Sequence, residues 1–575
     1  MGDDHGRLDV SRVIAIGLDA VDPTRLDELM RAGRLPNLAR LRERAATVEL
    51  RAADDFRAES PWNEFANGRR AASMRYWTTV TFAPDAYDAY MRGAPDTEPF
   101  YAFGDDTTVV TLDVPKVIRS PNVHGVQVLG WGAHSPQYPL GSTPDDVLPE
   151  LLGRFGDHPG VPFEYAGGWN QPSYLAHYTS TQAVSVARRA EILEWLAQRT
   201  PHWDLLLTLI GETHQVGHIT SHGFGGRFGE TRTAAVARQG LTTVLEAVDD
   251  FVGRVCEWAP GDTTVVVFSV QGMSPTEADG DIPASLLPEV LLRATINEAR
   301  LPRTDLSGWR RRGAPPVVPS AWESPLAWTL RQFPDQPGSS RAAGARTYAR
   351  HVARRYAPGL VRASRRVRRR GAASTAEWRP DERAFPLHDD SMNYWHVATW
   401  YRDAWPRMPA FVLPGYLDAH VRINLAGRER DGIVERDDYA RACDEVEQVL
   451  RACRNGATGE PIVRNVHRIR ESDPFDPEGP PPDLVVQFDG ADAIEHPDSG
   501  AVGPFVTART GTHTSNGFAY LAGPGITPGP RGRVAVCDLS ATITALLGAR
   551  SVARLDGEAF LPLDAVDASD AVRPG

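Results

Sequence analysis

The sequence predicts an α/β protein with a mainly parallel central sheet flanked by helices on both faces. Three observations predict it. Short apolar runs at 13–18, 205–210 and 263–268 are what strands buried on both faces require, because a helix-covered parallel sheet reads as unbroken hydrophobic stretches. Residues 181–199 and 233–258 carry helical periodicity instead. Strand, helix and strand in that alternation give parallel neighbours with helices packed above and below.

The elements follow in order. The run 13–18 ends on Asp19, and Asp22-Pro23-Thr24 then opens a helix with proline at its first position. A carboxylate at the carboxyl end of a first strand is well placed for a metal or a phosphate-bearing substrate, and it is equally a capping residue. Residues 109–113 form a strand ending in Asp113, and 126–129 lead into the turn Gly130-Trp131-Gly132-Ala133-His134. Residues 421–425 alternate as a half-exposed strand, 439–453 form an amphipathic helix, and 484–488 and 517–522 are strands. Residues 538–548 read as a capped helix that stops at Gly548.

At 575 residues the chain is too long for one compact core. The expected division is an α/β core in two parts, 12–300 and 381–550, an Arg-rich helical insertion at 301–380, and a tail at 551–575. Between 341 and 370 stand eleven arginines and no acid. A formal net charge of −12 excludes a general nucleic-acid binder, so this stretch reads as a solvated helical excursion. Lys116 is the sole lysine, which reads as coding bias. No run of about 18 apolar residues suggests a membrane span. The N-terminus is acidic, without the order of a signal peptide, and the four cysteines lack CxxC spacing, so the expected location is the cytoplasm.

The run 205–210 leads into Gly211-Glu212-Thr213-His214-Gln215-Val216-Gly217-His218. Histidines four apart share one helical face and can close on a metal, and His222 extends the spacing by four more. Taken without context, the same spacing also suits hydrogen-bonded histidines at a helix start.

Taken together, residues 16–23 (Ile-Gly-Leu-Asp-Ala-Val-Asp-Pro), 33–38 (Gly-Arg-Leu-Pro-Asn-Leu), Gly511-Thr512-His513 and Gly523-Pro524-Gly525-Ile526 resemble the alkaline phosphatase superfamily, in its type I phosphodiesterase/nucleotide pyrophosphatase branch. The resemblance implies two zinc-like ions that clamp a phosphoryl group, and a threonine or serine nucleophile. One ion is expected on an Asp-x-x-x-His pair with a distant histidine, positions that here are His214, His218 and His513. Three neutral imidazoles with an open fourth place still suit zinc. The second ion is expected on Asp19, the nucleophile and an Asp-His pair, which stands here as Val270-Gln271. Valine cannot coordinate, and glutamine is a weak neutral ligand. At the nucleophile loop the hydroxyl position falls on Ala58 or Glu59, with Ser60 the hydroxyl nearby.

The expected activity is therefore that of a metal-dependent hydrolase or group-transfer enzyme with one ion, acting on a small anionic substrate resembling a phosphate ester. Glu59, Ser60 and Asp19 are the catalytic candidates, with Glu212 and His134 as further acid–base groups. Asn63, His134 and Gln271 are placed to bind substrate oxygens. Arg422 and Arg428 match a segment outside the metal motifs and read as structural ion pairs rather than anion ligands. Two other readings stand beside this one: a degenerate relative that binds a ligand or partner, and a Lewis-acid metalloenzyme of other chemistry in a biosynthetic pathway.

Overall fold

The computed structural model describes residues 12–52, 59–91, 94–132, 141–160, 169, 171–276, 281–301, 306–307, 396–470, 472–503 and 509–561. His134, the arginines of 341–370 and most of the insertion expected at 301–380 lie outside the described residues.

Nine strands form the main sheet, and five of them are consecutive parallel neighbours: Thr263–Ser269, Arg12–Leu18, Leu205–Ile210, Gly104–Leu112 and Val123–Leu129. Asn516–Ala522 joins antiparallel beside Thr263–Ser269, and Gly141–Thr143 closes the far edge antiparallel to Val123–Leu129. Ala46–Arg51 and Gly529–Ala535 complete the other edge.

The pleat of the first strand divides the core. Ile14, Ile16 and Leu18 face a layer built by the helices Pro23–Arg31, Pro36–Glu43, Pro172–Arg199 and Ala234–Trp258. Val13 and Ala15 face the opposite layer, where Trp62 and Phe65 of the helix Ser60–Asn67 pack with Val536, Leu539 and Ile543 of the helix Val536–Leu546. Burying each such aliphatic side chain contributes about 1.5–3 kcal/mol, so coverage of both faces explains why the central strands are apolar throughout.

Residues within 381–550 contribute to the main sheet and to three smaller ones, among them a three-stranded sheet of Arg454–Asn455, Ile494–His496 and Gly500–Val502. Ala410–Leu413, Ala419–Ile423, Leu484–Phe488 and Val463–Arg468 form an antiparallel four-stranded sheet with its own core, shared with the helices Asp281–Ile296 and Tyr439–Arg451. The chain then returns to the main sheet at Asn516. The half-exposed strand expected at 421–425 is instead the strand Ala419–Ile423, buried along its whole length. Its polar residue Arg422 is covered too, because Glu429 and the Pro481 carbonyl satisfy its guanidinium inside the lobe.

No helix among the described residues is long and apolar enough to cross a membrane.

Candidate metal and anion site

The carboxyl ends of the parallel strands gather the polar residues, as open α/β sheets do. Asp19 follows Arg12–Leu18, Glu212 follows Leu205–Ile210, and Gln271 follows Thr263–Ser269. An antiparallel ribbon of Gly272–Pro275 and Gly511–Thr514 lies alongside, with Met273 opposite His513.

That ribbon delivers His513 to the helix Glu212–Thr220. His214 and His218 lie one turn apart on this helix. Their Nε2 atoms are 3.3 Å from each other, and His214 Nε2 is 3.0 Å from His513 Nε2. Zinc–imidazole bonds of 2.0–2.1 Å in a tetrahedron place the nitrogens about 3.3–3.4 Å apart, so this spacing suits one ion. His218 Nδ1 lies 2.9 Å from the Gly511 carbonyl, which fixes the ring and leaves Nε2 for the metal. Among the described residues this trio is the one group of three or more His, Cys, Asp or Glu side chains with ligand atoms this close.

The approach depends on Gly511. A Cβ there would sit 2.6 Å from the Gly217 carbonyl oxygen and 2.5 Å from Ser221 Oγ, so a larger residue would push the ribbon off the helix.

His222 does not join the trio. The α-helix ends at Thr220, and the tighter 3-10 turn Ser221–Phe224 carries the ring to Thr510 and Thr233, whose hydroxyls lie 3.0 and 3.1 Å from its two nitrogens. Burial lowers the His222 imidazole to about 4, which keeps it neutral.

Beside the histidines lies a second polar cluster. Thr213 Oγ1 donates to the Asp19 carbonyl at 2.7 Å, which joins the two halves. Asp19 Oδ1 accepts from Trp62 Nε1 at 2.8 Å. Gly17 permits this, since a Cβ there would meet the Trp62 ring at 2.9 Å. Trp62 belongs to the helix Ser60–Asn67, whose N-cap is Glu59. Burial pushes the Glu59 carboxyl up to about 7, against the opposing pull of Thr78, Lys116 and Thr79, while Asp418 of the second lobe adds to the rise. Glu59 Oε2, Ser60 Oγ, Asn63 Oδ1 and Gln271 Oε1 are buried with no hydrogen-bond partner among the described residues.

One expectation needs correction. Glu212 is not an available base. Its Oε1 lies 3.0 Å from His158 Nε2 and 3.1 Å from Arg189 Nε, and Arg189 also binds Asp113 at 2.7 Å. Burial opposes its charge, but Arg189 and His158 outweigh burial and hold the carboxyl at about 2. The Gln271 backbone carbonyl accepts from Ser269 Oγ at 2.7 Å. The reading of Arg422 and Arg428 as structural groups agrees with the geometry: both bind Glu429, and Arg428 also binds Asp483.

Sequence reasoning missed Lys116, whose charge acts on both Glu59 and Asp19. The one available signal was compositional, a single lysine among 62 lysines and arginines, and it does not locate a partner. It also missed Arg189, hidden in a helix that reads only as amphipathic.

No family model matches the chain, and no curated protein matches it. Solved structures do resemble it. Phosphonoacetate hydrolase from Sinorhizobium meliloti 1021 is 13% identical, with 95% of this chain and 98% of that chain covered and a TM-score of 0.42. Murine ectonucleotide pyrophosphatase/phosphodiesterase 5 is 8% identical, with 95% and 97% covered and a TM-score of 0.41. Wild-type alkaline phosphatase PafA is 10% identical, with 95% and 97% covered and a TM-score of 0.42. A likeness this remote carries no argument about activity, which rests on the site itself.

Proposed function

We propose that this chain is a metal-dependent enzyme that hydrolyses, or transfers a group from, a small anionic substrate of the phosphate-ester type, with one divalent ion on His214, His218 and His513. Convergence of the three Nε2 atoms carries this reading. The donor set fits an ion: three imidazoles, one of them oriented by the Gly511 carbonyl, with zinc the metal that favours such nitrogens.

When bound, a divalent ion there supplies Lewis-acid polarisation of a substrate oxygen. The chain's own groups do the rest. Glu59, with its carboxyl near 7, takes or gives a proton at neutral pH. Ser60 Oγ stands at the first turn of its helix, where backbone N–H groups favour an anion. Ser60 is the nucleophile candidate in this reading, and Asn63 and Gln271 hold substrate hydroxyl groups through their unpartnered carbonyl oxygens. Asp19, fixed by Trp62, orients the cluster.

A second reading, ligand binding without turnover, is favoured by one observation: Val270 lies fully buried in the apolar layer where a metal ligand was expected.

Elemental analysis of the full chain and of His218→Ala, purified without chelator, tests the proposal. About one zinc-like ion per chain, lost in the variant, together with hydrolysis of phosphate mono- or diesters that His513→Ala abolishes, is the expected result. Metal without turnover of any ester or phosphonate moves the protein to the second reading. No ion in either protein overturns both the site and the activity.

A further inference from the structure

The resemblance calls for two ions, and the second does not fit this chain. Val270 offers no donor and Gln271 only a neutral carbonyl. Neither Asp19 nor Glu59 belongs to a close group of metal-binding side chains among the described residues. Yet both acids are buried, linked by the helix that Glu59 caps and whose Trp62 bonds Asp19, and buried carboxylates need a positive partner.

Lys116 is built to be that partner. It follows the strand Gly104–Leu112, in a left-handed backbone conformation with φ of 60°. Its carbonyl accepts from Asn67 Nδ2 at 3.4 Å. Asn67 is itself held by the Asn63 carbonyl at 2.9 Å and by Thr97 Oγ1 at 2.8 Å. Asn67 ends the same helix that Glu59 caps and from which Trp62 bonds Asp19. The backbone of Lys116 is thus docked on the element that carries one acid and touches the other, and the charges of both acids act on its amine. Burial lowers the proton affinity of its amine, while the charges of Glu59 and Asp19 oppose that fall and favour the ammonium.

We infer that Lys116 supplies the second positive charge of this centre from the chain itself, taking the electrostatic place of a second metal ion beside Asp19 and Glu59, so that the site holds one divalent ion rather than two. An ammonium suits the role because it is compact and donates in three directions, whereas the planar guanidinium used at every other basic position of this chain is larger and geometrically fixed. Only the one-ion count rests on the function proposed above; the charge pairing stands apart from it.

The test uses the full chain, wild type and Lys116→Met, equilibrated with buffered excess zinc, with ions counted after dialysis and melting followed in parallel. Wild type is expected to retain one ion. Lys116→Met should melt lower and gain a second, weaker zinc at Asp19 and Glu59, which then lack their cation. Adding Glu59→Gln to Lys116→Met should restore the melting temperature and remove the extra ion. Two ions in wild type, or no change in zinc count and melting in Lys116→Met, overturns the inference. Should Lys116→Met fail to fold, labelling decides, because Lys116 is the sole lysine and its peptide reports its amine separately from the α-amino group of the chain. Acetylation of Lys116 in the native chain should be more than about tenfold slower than in the unfolded chain, as expected for a partnered, desolvated amine; equal rates overturn the inference. Zinc-free wild type would remove the proposed metal site, while the Lys116–Glu59 melting cycle would still judge the charge pairing.

Discussion

The Nε2 atoms of His214 and His513 lie 3.0 Å apart although 299 residues separate them in the chain. One residue comes from the helix after a central strand and the other from a ribbon that reaches it late in the chain. Bringing two imidazole nitrogens this close, with a third 3.3 Å from one of them, is worth little unless something shares their lone pairs.

An ion at that point links metal to stability. A ligand that binds only the folded chain stabilises it by about 2.7 kcal/mol at a hundred times its dissociation constant. Chelation should therefore lower the melting temperature of wild type, and zinc should restore it. His513→Ala should show neither response. A chelator-insensitive melt in wild type, measured by calorimetry, would count against the site.

Gly511 tests the geometry without touching a ligand. Gly511→Ala places a methyl group against the Gly217 carbonyl and Ser221 Oγ, which displaces the carbonyl that orients His218. Loss of such an orienting group typically costs 10–100-fold in metal affinity. Competition with a fluorescent zinc chelator should reveal that loss while far-UV circular dichroism stays unchanged.

The sequence was most readable where one physical rule acted alone. The strand at 205–210 and the helix with Asp22 as N-cap followed directly from apolar runs and capping chemistry, and Asp22 does accept from the Thr24 N–H. Ala419–Ile423 was misread because its alternation with Arg422 imitates a solvent-facing strand, and a buried ion pair leaves the same pattern. His222 kept the four-residue spacing but lost the face when the helix tightened after Thr220. Glu212 looked free because Arg189, its partner, lies on a different helix. Pairings between distant side chains have no local signature, which is why His513 was reachable through family resemblance and Lys116 was not.

Glu64 gives a pH dependence away from the metal. It is 6% exposed, and burial pushes its carboxyl up to about 7, with the Ala71 backbone N–H and Arg70 pulling the other way. A raised carboxyl binds its proton more tightly when folded. Its favourable contribution is thus full below the unfolded value of 4.5 and is lost as pH rises through 7. Glu64→Gln removes that loss, so the variant should be more stable than wild type at pH 8, by an amount on the order of 3 kcal/mol. Urea melts at several pH values from below 4.5 to 8 would show the two proteins diverging upward; parallel curves would refute it.

Arg428 tests the second lobe. It grips Asp483 with two bonds of 2.7 Å, and Tyr439 and the Ile423 N–H complete the carboxylate at 2.8 and 2.7 Å. Burial alone would raise Asp483, but Arg428 outweighs it and holds the carboxyl below its ordinary value. Arg428→Met strands that buried charge, a change that costs about 3–5 kcal/mol. Arg422 and Arg470 stand close enough to recover part of it, so Arg428→Met with Asp483→Asn should be more stable than Arg428→Met alone. Zinc content should not move in either variant, because the pair sits in the antiparallel lobe and touches none of the three histidines. Equal stability of wild type and Arg428→Met in urea would mean that the lobe does not depend on this pair.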